Sequence, residues 1–369
     1  MTTTGLRIYL IGAGYIAREH AAAIALLPDP DTVELAVADP SPAARDGFLA
    51  RFPGTRVVID AEELLAEPAR PDDIVIVATP PFVHRDLTIR ALGSGRNVLC
   101  EKPLAMDVAE AEAMVAAARR VNRLLAECSS RFLGKPTTAM VRDLIAAGNL
   151  GPLTQATFVH RVHRFRTGID FMPETTWFLD SLRSGGGVLM DWGCYDLTTL
   201  IDVLRPIRVD VTTAWSVNPE TEIHLAPGVV FDTDQQIGAS MVFHRADGER
   251  VPIIYERAAA THGKERQIVE IEGRRGAVRW DWLDWAGDDR VTVTTDQNGQ
   301  PAETTHHPGR PLAPAHQRPL LALAARLRGE PHDSVVGDQA LFNFRCLRAI
   351  QDAATTGQPQ TITMEEPEG

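Results

Sequence analysis

The first third of the chain alternates short apolar runs with amphipathic or alanine-rich stretches. The apolar runs predict strands over Leu6–Ile11, Val33–Ala38, Arg56–Ile59, Ile74–Ala78, Asn97–Cys100 and Leu124–Glu127. The stretches between them predict helices over Ile16–Leu27, Ala61–Glu67, His84–Leu92 and Val108–Arg120. Strands that are apolar throughout are typical of a parallel sheet with helices on both faces, because neither face meets water. The pattern predicts an α/β domain with a doubly wound parallel sheet of the Rossmann type.

From Phe132 onward the pattern changes to β-rich runs with few helices between them. Strands are predicted over Leu153–Arg161, Arg208–Val217, Ile237–His244, Val251–Arg257, Gln267–Glu272, Ala277–Trp282 and Arg290–Thr294. Helices are predicted over Thr138–Ala147, about Asp191–Leu204, Leu320–Arg328 and Asp338–Thr355, and Asp296–Pro319 is predicted to be irregular. Such an arrangement favours an α+β domain with a large, mostly antiparallel sheet. We therefore expect a dinucleotide-binding Rossmann domain over residues 1–127 and an α+β substrate and oligomerisation domain over 128–369, whose last helices are able to pack back on the first domain.

Composition and charge narrow the classes of function. The chain has 369 residues, 44% of them hydrophobic, which is enough apolar material for two cores. Its net charge of −12 argues against nucleic acid, since phosphates need a surplus of Lys and Arg, and against an anionic membrane surface. Four scattered cysteines and no apparent signal peptide or membrane span predict a cytoplasmic protein.

A glycine motif follows the first predicted strand and opens the first predicted helix. It reads Gly12-Ala13-Gly14-Tyr15-Ile16-Ala17. In a dinucleotide-binding fold the first glycine allows a tight turn, and the second lets the backbone approach a pyrophosphate at the helix N-terminus. The alternative is that the glycines only form a tight strand-to-helix turn. The motif predicts that Gly12, Gly14, Tyr15 and Ile16 bind the cofactor.

The ends of the next strands supply further candidates for the cofactor site. Asp39 ends the second strand, and its carboxylate is placed to accept hydrogen bonds from the adenosine ribose hydroxyls. It would repel a 2′-phosphate, so NAD is the expected cofactor, although Arg45 one turn further on leaves NADP open. Thr79-Pro80 ends the fourth strand, where ligands bind in such folds, but two prolines in succession can also simply stop a strand.

Glu101-Lys102-Pro103 follows the fifth strand at the same carboxyl edge. A Glu–Lys pair at a rim is usually a surface ion pair. The other interpretation is catalytic, because an ammonium group beside a dinucleotide would stabilise an alkoxide and lower the pKa of a neighbouring acid or base.

A second candidate lies in the glycine-rich run from Ser184 to Asp196. Asp191 and Tyr195 are four residues apart and share one face if the helix has already begun. A tyrosine can relay a proton once a nearby cation lowers its pKa, and Lys102 could supply that cation. The alternative is that Tyr195 is a half-buried aromatic and Asp191 an acid at a helix N-terminus. The chemistry alone leaves both open.

Four motifs together resemble one known family. They are Gly12–Ala17 with His20, Thr79-Pro80-x-x-x-His84, Glu101-Lys102-Pro103, and Gly185-Gly186-Gly187-x-x-x-Asp191-x-Gly193-x-Tyr195. The combination resembles the Gfo/Idh/MocA family, the superfamily of glucose-fructose oxidoreductase and inositol dehydrogenase, over nearly the whole chain. The resemblance implies a Rossmann domain followed by a domain with a large antiparallel sheet, often used for oligomerisation. We therefore expect a homodimer or homotetramer.

The resemblance also implies roles for individual residues. Lys102 is the central catalytic lysine, Asp191 positions the substrate, Glu101 lies near the nicotinamide ribose, and His84 belongs to the cofactor motif. The expected reaction is hydride transfer at a secondary carbinol of a sugar or cyclitol. Where inositol dehydrogenases carry histidine, this chain has Tyr195, which is similar to the glucose-fructose oxidoreductase, dihydrodiol dehydrogenase and keto-sugar reductase branches. This puts inositol itself in doubt and makes Tyr195 the expected proton donor to a ketone.

Other contacts are less well determined by the sequence. Trp177 is placed to stack on a sugar or on the nicotinamide, or to serve as a core aromatic, and His163 and Arg164 are expected to reach the substrate pocket. His160 and His163 are three apart on a strand and point to opposite faces, so no metal site is expected. Two other functions stay open: a regulator that senses dinucleotide or sugar without turnover, and a hydrolase that uses NAD transiently.

Overall fold

The computed structural model of the chain describes residues 5–163, 175–218, 225–283, 288–311 and 313–365. The chain forms two compact units. The first combines Met1–Arg131 with Leu312–Leu341, and the second combines Phe132–Pro311 with Phe342–Gly369. The first segment therefore ends four residues beyond the predicted boundary, and a later segment of about thirty residues returns to the first unit.

A seven-stranded sheet forms the centre of the first unit. Its strands are β1 (Arg7–Ile11), β2 (Glu34–Ala38), β3 (Arg56–Val58), β4 (Ile74–Val77), β5 (Asn97–Cys100), β6 (Leu125–Glu127) and β15 (Val335–Val336). Their order is β15-β6-β5-β4-β1-β2-β3, and all pairs are parallel except that of β15 with β6. This is the doubly wound order in which ligands bind beyond the carboxyl ends of the strands.

Six helices accompany this sheet in the described part of the first unit. They are α1 (Tyr15–Ala23), α2 (Pro42–Arg51), α3 (Ala61–Leu65), α4 (His84–Gly93), α5 (Val108–Val121) and α9 (Arg318–Leu327). The core cluster joins apolar side chains of β1 and β4 with Ala17 and Ala21 of α1 and with Leu320 and Leu323 of α9. The apolar stripe of α9 is thus buried in the first unit.

A nine-stranded sheet dominates the second unit. Its strands are β7 (Leu153–His163), β8 (Pro206–Val217), β9 (Gln236–Arg245), β10 (Arg250–Thr261), β11 (Arg266–Gly273), β12 (Gly276–Trp280), β13 (Val291–Gln297), β14 (Gln300–His306) and β16 (Gln360–Thr363). The order is β14-β13-β12-β11-β7-β10-β9-β8-β16, and only the pair β7–β10 is parallel. The predicted fold class, a Rossmann sheet followed by a large, mostly antiparallel sheet, is confirmed.

The helices of the second unit include the one that carries Tyr195. They are α6 (Pro136–Ala146), α7 (Ser181–Ser184) and α8 (Cys194–Leu204), and α10 (Gly337–Thr356) begins in the first unit and ends in the second. The helix predicted to begin near Asp191 instead begins at Cys194, after a π-helical turn over Leu189–Gly193. Such turns are rare and often lie at functional sites.

The prediction that Asp296–Pro319 is irregular is wrong for its first half. Strands β13 and β14 form a hairpin in which Gln297 pairs with Gln300. The turn residues Asn298 and Gly299 have φ angles of +57° and +77°. An Asn-Gly pair at positive φ is the preferred two-residue hairpin turn, so the sequence carried a signal that its polar composition obscured. Among the described residues, no helix is long and apolar enough to cross a membrane.

Candidate active site

The glycine turn between β1 and α1 has the geometry of a phosphate-binding turn. Gly12 has φ of +105°, and a side chain there would collide with the carbonyl oxygen of Ala78. A side chain at Gly14 would instead point into open space. No side chain caps the N-terminus of α1, and its first turn holds no acidic residue. The first N–H groups of the helix therefore suit an anion, so the turn fits a dinucleotide pyrophosphate.

Asp39 lies just beyond β2 and is tied to this turn. Its Oδ2 accepts a hydrogen bond from the Ala13 N–H at 2.8 Å, and its Oδ1 accepts one from the Ser41 N–H at 2.8 Å. Each carboxylate oxygen keeps a second lone pair for a ribose hydroxyl. Arg45 donates to the main-chain oxygen of Asp39 at 2.6 Å, which places a guanidinium at the edge of the same site.

His84 joins the ends of two neighbouring strands. Its ring is completely buried, with Nε2 2.8 Å from the Thr79 oxygen and Nδ1 2.9 Å from the Pro103 oxygen. Burial lowers the pKa of His84, so the neutral ring donates to one of these carbonyl groups at a time. The hydroxyl of Thr79, by contrast, is buried without a hydrogen-bond partner. His84 thus links the backbone after β4 to the backbone after β5. Thr79, by contrast, still has a hydroxyl group available for a ligand.

Glu101 lies at the centre of a buried ion-pair network beside Lys102. Its Oε1 lies 2.9 Å from His20 Nε2 and 2.9 Å from the guanidinium of Arg131, while Oε2 accepts the Lys102 N–H at 3.1 Å. Burial alone would raise the pKa of Glu101, but Arg131 and His20 hold it below its ordinary value. The carboxylate therefore ties the backbone of Lys102 to helix α1, which follows the glycine turn.

The same network includes a trio of metal-ligand type. Ligand atoms of His20, Glu101 and Cys128 lie within 4.8 Å of one another. The Glu101 oxygen that would bind a metal already accepts a hydrogen bond from Arg131. A fixed guanidinium beside the trio disfavours a second cation there, so its chemistry is that of an ion pair.

A second buried acid lies next to this network and was not predicted. Glu127 ends β6, is 2% exposed, and accepts a hydrogen bond from the Ser129 hydroxyl at 2.8 Å. Burial raises the pKa of Glu127 to about 7. The Leu104 N–H and the charge of Lys102 favour its ionised form, but they do not offset the burial. A carboxyl group near half-ionisation thus lies close to the predicted catalytic lysine.

In the second unit, Asp234 holds the glycine-rich turn that precedes Asp191. Its Oδ1 accepts the Gly187 N–H at 2.7 Å, Oδ2 accepts the Leu189 N–H at 3.3 Å, and its main-chain oxygen accepts the Val188 N–H at 2.9 Å. A side chain at Gly187 would overlap the Asp234 backbone. Gly187 therefore allows the turn to pack closely against the backbone of Asp234.

A buried charge pair supports the other side of the π-helical turn. Asp196 is completely buried and accepts hydrogen bonds from the Arg257 guanidinium and from the Tyr255 hydroxyl, the latter at 3.0 Å. The Arg257 guanidinium lies 5.2 Å from the centre of the Trp192 ring, at cation–π distance. Burial raises the pKa of Asp196 despite these partners.

Tyr195 packs within this aromatic neighbourhood. It is 2% exposed, and its ring lies edge-on to Phe132 at 5.1 Å and to Trp192 at 5.7 Å. Asp191 is half-buried, and its N–H donates to the Gly187 oxygen at 3.0 Å. Asp191 thus lies on the π-helical turn, and Tyr195 lies in the first turn of α8 directly after it.

The predicted substrate contacts have different surroundings. Trp177 stacks on Phe178 with ring centres 3.8 Å apart, in a short 3₁₀ turn over Thr176–Leu179. His163 is exposed at the end of β7, and Arg164 lies outside the described residues. His160, considered only as a metal ligand, is half-buried beside Arg257 on the paired strand, and burial lowers its pKa to about 2. Its Nδ1 is buried without a hydrogen-bond partner.

Comparisons with known proteins match both units. Residues 6–128 match the model "Oxidoreductase family, NAD-binding Rossmann fold", and residues 138–279 match the "GFO/IDH/MocA C-terminal domain". A dTDP-3,4-didehydro-2,6-dideoxy-alpha-D-glucose 3-reductase of Saccharopolyspora spinosa is 30% identical over 71% of this chain and 77% of its own length. This chain is a GFO/IDH/MocA oxidoreductase. The predicted family, the enzyme class and NAD as cofactor are confirmed.

Two further similarities extend over almost the whole oxidoreductase. A 1,5-anhydro-D-fructose reductase of Ensifer adhaerens is 27% identical over 96% of this chain and 97% of its own length. A solved levoglucosan dehydrogenase, in complex with NADH and L-sorbose, matches with a TM-score of 0.78 at 19% identity, over 98% of this chain and 99% of the other. The structural likeness establishes the shared fold.

Proposed function

We propose that this oxidoreductase transfers hydride between NAD and a secondary alcohol or ketone of a sugar or cyclitol. One observation carries the proposal: Lys102 follows β5 at the carboxyl edge of the Rossmann sheet, and Glu101 bonds both the Lys102 backbone and His20 of the helix that follows the glycine turn. A lysine held relative to a dinucleotide turn is placed for proton chemistry next to the bound cofactor. The named activities of the relatives, two of them sugar reductases, support a sugar as the substrate class.

The proposed division of work follows from the chemistry of each side chain. The bound nicotinamide supplies or accepts the hydride. Lys102 stabilises negative charge on the substrate oxygen with its ammonium group. In the reductive direction Tyr195 donates the phenol proton to that oxygen, which suits neutral pH because the phenol is then the dominant form. Asp191 accepts hydrogen bonds from neighbouring substrate hydroxyls, and Trp177 and His163 stay proposed substrate contacts together with Arg164.

The remaining proposals concern the cofactor and the molecule as a whole. Asp39 supports a preference for NAD over NADP, although Arg45 at its edge keeps NADP as a second cofactor to test. Four buried cysteines that form no disulfide fit a reducing cytoplasm. Exposed apolar side chains on β8 and β10, among them Trp215 at 41% and Ile254 at 47% exposure, support a homodimer or homotetramer.

The test is absorbance at the reduced-nicotinamide band of the purified protein. NAD and NADP are each tried with a panel of sugars, inositols and keto-sugars. Turnover with NAD and one class of polyol would support the proposal and identify the substrate class. Binding of NAD without any turnover would favour the regulator. Product formation from tightly retained cofactor, with no net change in NADH, would favour the hydrolase that uses NAD transiently.

A further inference from the structure

The loop that carries Lys102 is held by buried side chains on both sides of the lysine. Before it, Glu101 Oε2 accepts the Lys102 N–H at 3.1 Å. After it, His84 Nδ1 lies 2.9 Å from the main-chain oxygen of the following proline. Proline has no N–H, so the next donor along the backbone is Leu104, whose N–H bonds the carboxyl group of Glu127. The backbone on each side of the lysine is therefore bonded to a buried carboxyl group.

Glu127 comes to this loop because β6 is the parallel neighbour of β5. Cys100, the last residue of β5, pairs with Glu127, the last residue of β6. The carboxyl group therefore lies beside the start of the Lys102 loop. The Ser129 hydroxyl also donates to Oε2 of Glu127, at 2.8 Å. Glu127 thus accepts one hydrogen bond from the lysine loop and one from the turn that follows its own strand.

The charges that act on Glu127 belong to the same loop. Lys102 attracts its carboxylate, and Glu101 repels it. Arg131, from the 3₁₀ turn after β6, and His20, from α1, are bonded to Glu101. The other elements packed on β6 add no charge: burial raises the pKa of the thiol that ends β5, β15 consists of two valines, and the buried face of α5 is apolar. Lys102 is therefore the cation that favours the ionised form of Glu127.

The carboxyl group of Glu127 lies where ionisation is costly. It is 2% exposed, and burial raises its pKa to about 7, so both of its forms are populated at neutral pH. A glutamine would offer Leu104 the same acceptor oxygen without a charge to bury. A titratable group near half-ionisation that lies beside a candidate catalytic residue is typical of a functional site.

We propose that Glu127 is a positioning residue for Lys102: its carboxylate holds the lysine loop through Leu104 and attracts the ammonium group, so turnover falls when Glu127 takes up a proton. Protonation weakens the bond to the Leu104 N–H, because a neutral acid is a poorer acceptor than a carboxylate. It also removes the attraction to the ammonium group, which acts equally on both partners. The proposal rests on the proposed function, in which Lys102 stabilises charge on the substrate oxygen.

The first test follows Lys102 without any turnover. The chain has three lysines, Lys102, Lys135 and Lys264, so protein labelled with ¹³C at lysine Cε gives three signals by NMR. Lys102→Met and Lys264→Met assign them. We expect the wild-type Lys102 signal to shift with a midpoint near pH 7, as Glu127 ionises, and to lose this step in Glu127→Gln. The other two lysines belong to the second unit and serve as internal controls.

The second test compares kcat of wild type and Glu127→Gln across the pH range. The ratio of wild-type to variant kcat should rise from about one at pH 5.5 to about ten at pH 8.5, the effect of one charge on a hydrogen bond. Taking the ratio at each pH removes the titration of every group that both proteins share. The KM and the Kd for NAD should stay within about threefold. A residue that served only stability would give a ratio independent of pH, at temperatures where both proteins are folded.

Glu112→Gln, at an exposed position of α5, is the matched control and should keep both the NMR step and the wild-type kcat. The proposal is overturned if the Lys102 signal has no step near pH 7, or has the same step in Glu127→Gln. A kcat ratio that does not change with pH would overturn it as well. Failure to find a substrate would contradict the proposed function but leave the NMR result to decide the contact between Glu127 and Lys102, so the two proposals fail separately.

Discussion

The two candidate regions of the molecule are built in different ways. In the first unit, the candidate side chains follow the ends of parallel strands, so the sheet places them at its carboxyl edge. In the second unit, Asp191 and Tyr195 lie on and just after one π-helical turn, which is held by Asp234 on one side and by Arg257 through Asp196 and Trp192 on the other.

The difference lies in how far along the chain the supporting residues are. Asp234 is 47 residues from Gly187, and Arg257 is 61 residues from Asp196. In the first unit, the glycine turn is formed by a local motif. One more distant residue, Asp39, supports it by accepting a hydrogen bond from the Ala13 N–H, 26 residues away. We expect a site on strand ends to tolerate changes in neighbouring residues better than a turn whose shape depends on distant side chains, and the variants below test that contrast.

The largest expected effect comes from breaking the buried charge pair of the second unit. Arg257→Met leaves the Asp196 carboxylate buried with only the Tyr255 hydroxyl as a partner, which should cost about 3–5 kcal/mol of stability. All six tryptophans lie beyond Phe132, in the segment of the second unit, so tryptophan fluorescence during denaturation reports on that unit.

A double variant serves as the control for Arg257→Met. Arg257→Met with Asp196→Leu removes both charges and should recover much of the lost stability, because an apolar pair needs no charge compensation. If Arg257→Met alone has the same midpoint denaturant concentration as wild type, the Arg257–Asp196 pair does not stabilise the second unit. The Kd for NAD, measured by titration calorimetry, should be unchanged in both variants.

The next effect is on turnover. Lys102→Met should lower kcat by about 10²–10³-fold, the cost of removing one group that stabilises charge in the transition state. NAD affinity should remain, since the glycine turn and Asp39 are intact. Lys264→Met, at an exposed lysine of the second unit, is the matched control and should keep its activity. Near-normal turnover of Lys102→Met would show that the lysine is not catalytic.

Much of the first unit could be predicted from the sequence because its signals are local. The apolar runs predicted all six parallel strands to within about one residue at either end, and the glycine motif lies at the turn where it was expected. The antiparallel β15 was not predicted, because Val335–Val336 is too short to show a pattern and forms only by pairing with β6.

In the second unit, the elements were predictable but the supports of the turn were not. Asp234 lies in a polar loop before β9 and carries no motif, so nothing in the sequence indicates that it bonds the Gly187 backbone. In the sequence, Arg257 is a single charged residue on a predicted strand and would be expected on the surface, but it is only 3% exposed. Contacts across 47 and 61 residues depend on strand order, which periodicity does not specify.

A variant of Glu127 tests whether a buried carboxyl group affects the stability of the first unit. Burial raises its pKa to about 7, above the ordinary value of 4.5, so the folded protein binds an extra proton between these values. The stability that this proton contributes is present in full below about pH 4.5 and is lost as the pH rises through about 7. Glu127→Gln, which stays neutral, should remove this loss and be more stable than wild type at pH 8 by about 2–3 kcal/mol.

Calorimetric unfolding between pH 5 and 8 measures this difference. Glu112→Gln, at an exposed position of α5, is the matched control and should follow the wild-type pH profile. Parallel pH profiles for wild type and Glu127→Gln would show that the Glu127 carboxylate is compensated in the folded state.

The smallest effect, and the most direct test of the contrast, is at Asp234. Asn keeps one oxygen for the Gly187 N–H, but its amide would face the Leu189 N–H, so the turn should loosen on one side only. We expect Asp234→Asn to lower kcat roughly tenfold and Asp234→Ala to lower it further, with the Kd for NAD unchanged in both, because one or two hydrogen bonds to the turn are lost. Asp210→Asn is the control, since it removes a carboxylate of β8 that bonds Arg208 and His244 and takes no part in the turn. If Asp234 served only stability, its variants would unfold at a lower midpoint temperature. Their kcat, measured at temperatures below that midpoint, would then equal that of wild type. The graded loss from Asn to Ala, at temperatures where all variants are folded, is what separates positioning of Asp191 from folding of the unit.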